Sequence, residues 1–336
     1  MHKIEIAGIE PIQEYFFNSC FYSSLFPIIQ YYRKSVIPFM INGLGVYMFY
    51  NNSSRCSIYI KFYQENNLQD IFEEVGLGYE KIDICNELYD TIINHIKDEK
   101  PVIVAVDCYY ESIRPDVYQK THMPHYLLIY GYDYEKQEYL IIEQDQMDDI
   151  RYQKKNISRV ELEIAYAHFI EKFFNANWGT YWSFFAKNDL YEFDVNKYFK
   201  RYLYNLKKNK SKIDNGMNEL IAFYKRFVNI LADEQMFFLY VEDIIEGMND
   251  IIKYMNAKKI QYSCLFSKND ICMKLFEELY NSWILQRVII VKCFYMNCLK
   301  PSKKNKLIEN FKSIVDLSEK LKKSLLELNV NERDFS

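Results

Sequence analysis

The sequence predicts an α+β protein in which a helix packed on a mostly antiparallel sheet is followed by a mostly helical region. Before about residue 155, stretches with helical periodicity alternate with β-branched or alternating runs that are typical of strands. After that point nearly every apolar pattern has the helical period. We therefore expect two domains, residues 1–155 and 156–336, a division that the length of the chain allows.

The first region begins with a predicted helix over residues 20–33, which carries Cys20 at its start. Asn18 and Ser19 precede it as candidate N-caps. The continuous β-branched run at 101–106 is typical of a strand buried on both faces. The remaining predictions are strands at 46–50 and 56–62, helices at 68–75 and 86–98, and a hairpin of strands 125–132 and 138–143.

The second region is predicted to be helical apart from one strand at 181–186. Polar stretches at 207–215, 256–261 and 300–305 are expected to separate its parts. Its amphipathic helices are predicted over residues 158–174, 212–233, 241–255, 269–298 and 304–328.

Composition and charge exclude several functional classes. The formal net charge is −4, which argues against nucleic acid as an obligatory partner. No apolar run approaches the ~20 residues that span a bilayer, and the N-terminus lacks the apolar run of a signal peptide. We therefore expect a cytoplasmic protein without a membrane partner. The eight cysteines form no CxxC pair, so free thiols are expected and no metal site is predicted.

Three residues in the first region point to nucleophilic catalysis by a cysteine. Cys20 lies at a predicted helix N-terminus, where the helix dipole favours a thiolate. His125 comes directly before a strand, so a rigid element would hold it as the base. An acidic residue on the following strand, Glu143 or Asp145, would orient the imidazole by bonding its far nitrogen.

The choice within each pair of candidates depends on position. His122 is the rival of His125, which we prefer because it adjoins the strand; His122 would then line the cleft. Glu143 and Asp145 are two residues apart and would share a face of an extended segment. Asp145 is preferred because it lies where the strand gives way to a loop. The alternative is that both acids are solvated turn carboxylates.

Further polar residues are candidates for supporting roles. Gln13 is an upstream amide that would join the backbone N–H of Cys20 in stabilising an oxyanion. Asp107 follows the buried strand and would either hold a substrate amine or cap the turn. Tyr109 and Tyr110 follow it in sequence and are candidate substrate-binding residues.

Four segments of the first region form an ordered set: Asn-Ser-Cys-Phe-Tyr-Ser-Ser at 18–24, Asn-Gly-Leu-Gly at 42–45, Val-Ile-Val-Ala-Val-Asp-Cys-Tyr-Tyr at 102–110 and His-Met-Pro-His-Tyr-Leu-Leu-Ile-Tyr-Gly-Tyr-Asp at 122–133. Together they resemble the N-terminal domain of the butirosin biosynthesis protein H family, over roughly residues 10–150. The run from His125 to Asp133 is also similar to the His-strand-Gly-x-Asp run of the wider papain-like set that includes bacteriocin-processing peptidases.

The resemblance implies a papain-like catalytic domain that acts as an acyltransferase in the biosynthesis of an antibiotic-like metabolite. Cys20 would take an acyl or aminoacyl group from the phosphopantetheine thioester of a carrier protein. His125 would accept the thiol proton and later deprotonate a small-molecule amine, with Asp145 or Glu143 orienting it. The peptidase-like pattern places Pro after the acid, whereas Gln146 follows Asp145 here.

The resemblance implies no bound cofactor, because the acyl group arrives on the carrier protein. The second region would serve as a lid or as the docking surface for that acidic carrier. Basic runs at 200–212 and 300–306 are candidates for the docking contact, although such runs are also typical of solvated loops.

Two other functions remain open. A papain-like peptidase or amide hydrolase would use the same site with water as the acceptor. A non-enzymatic binding module would keep Cys20 as a buried structural thiol. The reactivity of Cys20 toward iodoacetamide near neutral pH distinguishes the last hypothesis from the other two.

Overall fold

The computed structural model describes residues 2–52, 54–146, 151–175, 179–187 and 191–328. The chain forms two compact units, each assembled from two segments. This division differs from the boundary expected at residue 155, because the sheet of unit 1 takes in strands on both sides of that point. Unit 1 comprises Met1–Pro38 and Asn67–Phe193, and unit 2 comprises Phe39–Asn66 and Asp194–Ser336.

The secondary structure is α+β, as predicted. The strands are β1 (Lys3–Glu5), β2 (Gly43–Asn51), β3 (Cys56–Gln64), β4 (Leu77–Ile82), β5 (Val102–Asp107), β6 (Pro124–Asp133), β7 (Glu138–Gln144), β8 (Tyr152–Ser158) and β9 (Tyr181–Ala186). The helices are α1 (Cys20–Tyr31), α2 (Ile37–Asn42), α3 (Leu68–Glu74), α4 (Leu88–Lys97), α5 (Arg159–Phe173), α6 (Val195–Lys208), α7 (Lys210–Ala232), α8 (Glu234–Leu265), α9 (Ile271–Tyr295) and α10 (Pro301–Glu327).

Unit 1 is built on an antiparallel sheet with the strand order β4-β9-β5-β6-β7-β8, and β1 pairs with β6. The predicted hairpin of β6 and β7 is confirmed. Its register shifts by one residue, because Ile129 lies opposite Ile141 whereas Gly131 lies opposite Leu140. Such a shift is a β-bulge, in which one strand carries an extra residue.

The cysteine helix α1 packs on this sheet, as predicted. Its Phe21 ring meets the rings of Tyr126 on β6 and Trp182 on β9 edge-on, at centroid distances of 5.3 and 5.4 Å. The hydroxyl of Ser24 donates to the backbone oxygen of Tyr126 at 2.9 Å. These contacts hold the start of α1, and with it Cys20, against the middle of the sheet.

Unit 2 combines the two-stranded sheet of β2 and β3 with helices α6 to α10. The helix α6 was not predicted. The expected break at 256–261 is wrong, because those residues lie inside α8. Their polarity does not mark a linker, since Lys258 and Gln261 are both buried. Within the described residues, no helix has the length and hydropathy needed to cross a membrane.

Helix α8 lies unusually close to β3. A Cβ atom added at Gly247 would lie 2.2 Å from the carbonyl oxygen of Ile58, a distance that requires the backbone to move. Helix α7 also carries an interior glycine against the sheet, Gly216. There the added Cβ would lie 3.1 Å from the backbone nitrogen of Tyr47, a milder conflict.

We expect Gly247→Ala to lower the thermal unfolding temperature more than Gly216→Ala does. Alanine favours an isolated helix by about 1 kcal/mol in both variants. Overpacking of roughly 1–3 kcal/mol opposes that gain and should be larger at Gly247. Thermal unfolding followed by circular dichroism measures the difference. Equal unfolding temperatures for the two variants would contradict the close contact of α8 with β3.

Candidate active site

Cys20 is the first residue of α1 and is half-buried. Asn18 has φ of 59°, a left-handed conformation that asparagine tolerates better than most residues. Ser19 then adopts an extended N-cap conformation, and its side chain makes no capping hydrogen bond among the described residues. The first N–H groups of the helix are therefore left to an acceptor other than this side chain.

His125 lies on β6 opposite Val106 of β5 and is almost completely buried. Its Nε2 donates to Oε2 of Glu143 at 2.7 Å. The ring also lies within hydrogen-bonding range of the Cys20 side chain. Because Nε2 is held by the carboxylate, Nδ1 is the nitrogen left to face the sulfur. The two residues predicted to act together are therefore adjacent.

Glu143 is fully buried on β7 and is fixed from several directions. Its Oε1 accepts hydrogen bonds from Nη1 of Arg114 at 3.0 Å and from the backbone N–H of Gln144 at 2.8 Å. Asp116 in turn holds Arg114 with both carboxylate oxygens, at 3.0 and 2.9 Å. A buried carboxylate needs such partners to stay ionised, and the Arg114 guanidinium supplies the positive charge.

The electrostatics of this cluster favour a charged imidazole. Burial by itself would lower the pKa of His125. The negative charges of Glu143 and Cys20, together with their hydrogen bonds, outweigh burial and hold that pKa well above its usual value. A protonated His125 beside Cys20 is the partner that a thiolate requires.

The structure places Asp145 away from His125. The strand β7 ends at Gln144 and the chain bends at Asp145, so the alternation that would have put both acids on one face no longer applies. The half-exposed Asp145 side chain pairs with Lys155 at 2.7 Å and accepts from Gln153 at 2.7 Å. The preference for Asp145 is therefore corrected in favour of Glu143 as the residue that bonds His125.

Gln13 is exposed and lines a surface groove with Gln153 and Lys154. Its proposed contact with an oxyanion at Cys20 stays a prediction.

A second histidine–carboxylate pair, His122 with Asp107, lies one residue along β5 from the cross-strand pair of Val106 and His125. Asp107 is buried opposite Pro124, and its Oδ2 lies 2.6 Å from Nδ1 of His122. Its Oδ1 accepts the backbone N–H groups of Tyr109 and Met123, both at 3.1 Å. Both oxygens of Asp107 are thus engaged, so it caps the turn and positions His122 instead of presenting a free carboxylate.

Aromatic rings surround this second pair. The ring of Tyr109 stacks on the ring of His122 at a centroid distance of 4.2 Å. Tyr110 stacks on His168 of α5 at 4.1 Å. His122 and His168 remain partly exposed. We call Tyr109, Tyr110, His122 and His168 the ring cluster. His168 was missed as a candidate because α5 was assigned to the helical second domain.

Sequence reasoning also missed the charged residues of the segment that follows Tyr110. Arg114 is fully buried, and so is Glu111. Apart from the Cys108 thiol, neither carboxylate oxygen of Glu111 has a hydrogen-bond partner among the described residues. Burial and the nearby charge of Glu143 raise the pKa of Glu111 to about 7. The only signal was a set of charges in a short polar segment, which usually indicates a solvated loop.

We expect Glu143→Gln to slow the alkylation of Cys20 by iodoacetamide at neutral pH. The amide keeps the shape of the side chain but removes the charge that raises the pKa of His125. Less imidazolium then stabilises less thiolate, and the rate should fall roughly tenfold or more. Peptide mass mapping measures the rate at Cys20 itself. Asp145→Asn is the matched control and should leave the rate unchanged; an equal loss in both variants would contradict the pairing.

We expect Glu111→Gln to change how stability depends on pH. The folded protein holds the Glu111 proton up to about pH 7, whereas the unfolded chain releases it near the ordinary value for glutamate. Stability associated with this group is therefore present at low pH and is lost as pH rises through that window. Denaturant unfolding across the window should show a shallower decline for Glu111→Gln than for wild type. Parallel profiles would contradict the assignment.

Comparison with known families adds one match. Residues 32–144 match the family model described as butirosin biosynthesis protein H, N-terminal. The matched residues include His125 and Glu143, whereas Cys20 lies before them. A search of curated proteins found no match.

Proposed function

We propose that this chain is a cysteine-dependent acyltransferase, a proposal supported by the match of residues 32–144 to the family model of butirosin biosynthesis protein H, N-terminal. It would move an acyl or aminoacyl group from a carrier-protein thioester to a small-molecule amine. The family takes its name from a protein of butirosin biosynthesis, which supports a role in making an antibiotic-like metabolite.

The observation that carries this proposal is the buried pair of His125 and Glu143, bonded at 2.7 Å, with the Cys20 side chain within reach of the same ring. In the first half-reaction the Cys20 thiolate attacks the thioester carbonyl. The C–S bond to phosphopantetheine then breaks, and the leaving thiolate takes the proton from His125. Glu143 stabilises the imidazolium of His125 in the resting enzyme, before the attack, and holds the ring in place.

In the second half-reaction the acceptor amine attacks the acyl-enzyme carbonyl. His125 accepts the amine proton as the new C–N bond forms and the bond to Cys20 breaks. The negative oxygen of each tetrahedral intermediate needs donors, and the uncapped N–H groups at the start of α1 are suitable. The cycle returns thiolate and imidazolium to their starting forms.

The ring cluster is the candidate acceptor site. It adjoins Asp107 and Pro124, which pair across β5 and β6 directly next to the pair of Val106 and His125. Partly exposed tyrosine faces attract a protonated amine through cation–π interaction. Glu171 pairs with His168 at 3.2 Å and adds negative charge beside the rings. An amine held there would lie next to the strand position that presents the base.

The donor is proposed to be an acidic carrier protein, which needs a basic docking surface. Exposed lysines in the two basic runs of unit 2 fit that requirement, because Lys200, Lys207, Lys300 and Lys306 are all solvent-accessible. Such contacts steer association and weaken with salt.

Intact mass spectrometry after incubation with an acyl-pantetheine thioester tests the proposal. We expect wild type to gain the mass of the acyl group, because the Cys20 thiolate forms a thioester with it. Cys20→Ala should gain nothing. Cys298→Ala is the matched control, since Cys298 is also half-buried but lies in unit 2, and it should be acylated like wild type.

The fate of the acyl-enzyme then separates the candidate functions. Discharge onto added amines faster than onto water supports transfer, whereas discharge onto water alone supports the hydrolase. If several acyl donors leave no adduct and iodoacetamide leaves Cys20 unmodified, the binding module is the better description.

A further inference from the structure

Unit 2 contains a cavity of about 130 Å³, and every described residue that lines it belongs to unit 2. Most of the lining is aliphatic or aromatic, contributed by the hairpin β2–β3 and by several of the surrounding helices. Three side chains differ from this apolar lining: Lys258 of α8, and Ser318 and Lys322 of α10. Lys322 is already paired with Asp214 and Glu319, which leaves Lys258 as the lysine of the lining without a carboxylate partner among the described residues. Polar groups in an otherwise apolar cavity commonly fix the orientation of a ligand.

Lys258 is only 6% exposed, and it lies among aromatic rings. Its Nζ lies 5.2, 5.7 and 6.0 Å from the ring centroids of Tyr202, Tyr254 and Tyr262. The same atom donates a hydrogen bond to Oε1 of Gln261 at 2.8 Å. The hydroxyls of these tyrosines turn elsewhere: Tyr202 and Tyr262 bond each other at 3.0 Å, and Tyr254 donates to the backbone.

The polar group at the cavity has donors but lacks an acceptor. Within the described part of the chain, no carboxylate pairs with Lys258, and Nε2 of the buried Gln261 has no hydrogen-bond partner. An ammonium has three N–H donors, and Gln261 takes one. Burial lowers the pKa of Lys258 to about 7, which shows how poorly the site solvates the cation without a counterion.

We propose that this cavity binds a small monocarboxylate whose carboxylate accepts a hydrogen bond from Nζ of Lys258 and whose apolar body fills the space between the tyrosines and the aliphatic lining. A carboxylate supplies the missing acceptor and the missing negative charge at once. The acid is monovalent because Lys322, the other lysine of the lining, is already paired with Asp214 and Glu319, so a dianion would leave its second buried charge unpaired.

The volume sets the size of the apolar body. An apolar cavity of about 150 Å³ binds benzene, so this cavity accommodates roughly one aromatic ring or a short aliphatic chain. This inference concerns unit 2 alone and does not rest on the acyl transfer proposed for unit 1.

Isothermal titration calorimetry of the full chain with sodium benzoate tests the inference, with benzamide as the uncharged analogue. We expect wild type to bind benzoate and to bind benzamide at least about tenfold more weakly, because only the carboxylate pairs with the ammonium. Lys258→Met removes the ammonium but leaves an unbranched side chain of similar length, so this variant should lose at least about tenfold in affinity for benzoate. Lys259→Met, at the exposed neighbour, should bind like wild type.

A pH series on wild type provides a second readout that needs no variant. Binding requires the protonated lysine, so the affinity for benzoate should fall by about tenfold per pH unit above pH 7. Affinity that is independent of pH, equal binding of benzamide, or equal affinities for Lys258→Met and Lys259→Met would each overturn the proposal. Absence of benzoate binding at millimolar concentration would overturn it as well.

Discussion

The β-bulge between Ile129 and Gly131 brings Glu143 to the face of the sheet that carries His125. If the register at the turn of the β6–β7 hairpin continued unchanged, Glu143 would lie opposite Leu128, on the face away from His125. The extra residue moves it opposite Leu127, so that it shares a face with His125 as a diagonal neighbour. The bonded pair in the interior of unit 1 therefore depends on one inserted residue.

Once Glu143 faces inward, its charge determines the neighbouring charges. Arg114 neutralises it on one side and His125 bonds it on the other. Glu111, buried beside them, meets an existing negative charge, and its own ionisation is opposed. The cluster thus separates two carboxylates by role: Glu143 bonds Arg114 and holds the base, whereas Glu111 keeps its proton to near neutrality.

The sequence was sufficient for features that follow from local periodicity. The cysteine helix, the buried strand β5 and the β6–β7 hairpin were all predicted, and with them the approach of Cys20 to His125. The choice between Glu143 and Asp145 was wrong because the end of β7 at Gln144 and the bend at Asp145 leave no trace in the alternation of side chains. Arg114 and Glu111 were missed because charges in a short loop are usually solvated, whereas tertiary packing buries these.

The same assumption failed in unit 2, where the polar stretch at 256–261 was interpreted as a linker although it carries Lys258 and Gln261 inward. Glu111 in unit 1 and Lys258 in unit 2 are both buried with a pKa of about 7, and the two affect stability in opposite directions. The raised pKa of Glu111 means that the folded chain binds more protons, so its contribution to stability falls as pH rises toward 7. The lowered pKa of Lys258 means that the folded chain binds fewer protons than the unfolded chain, so the contribution of Lys258 to stability rises with pH above 7. A carboxylate bound beside Lys258 would stabilise the ammonium and reduce the second effect, whereas the first belongs to the cluster around His125 and would persist.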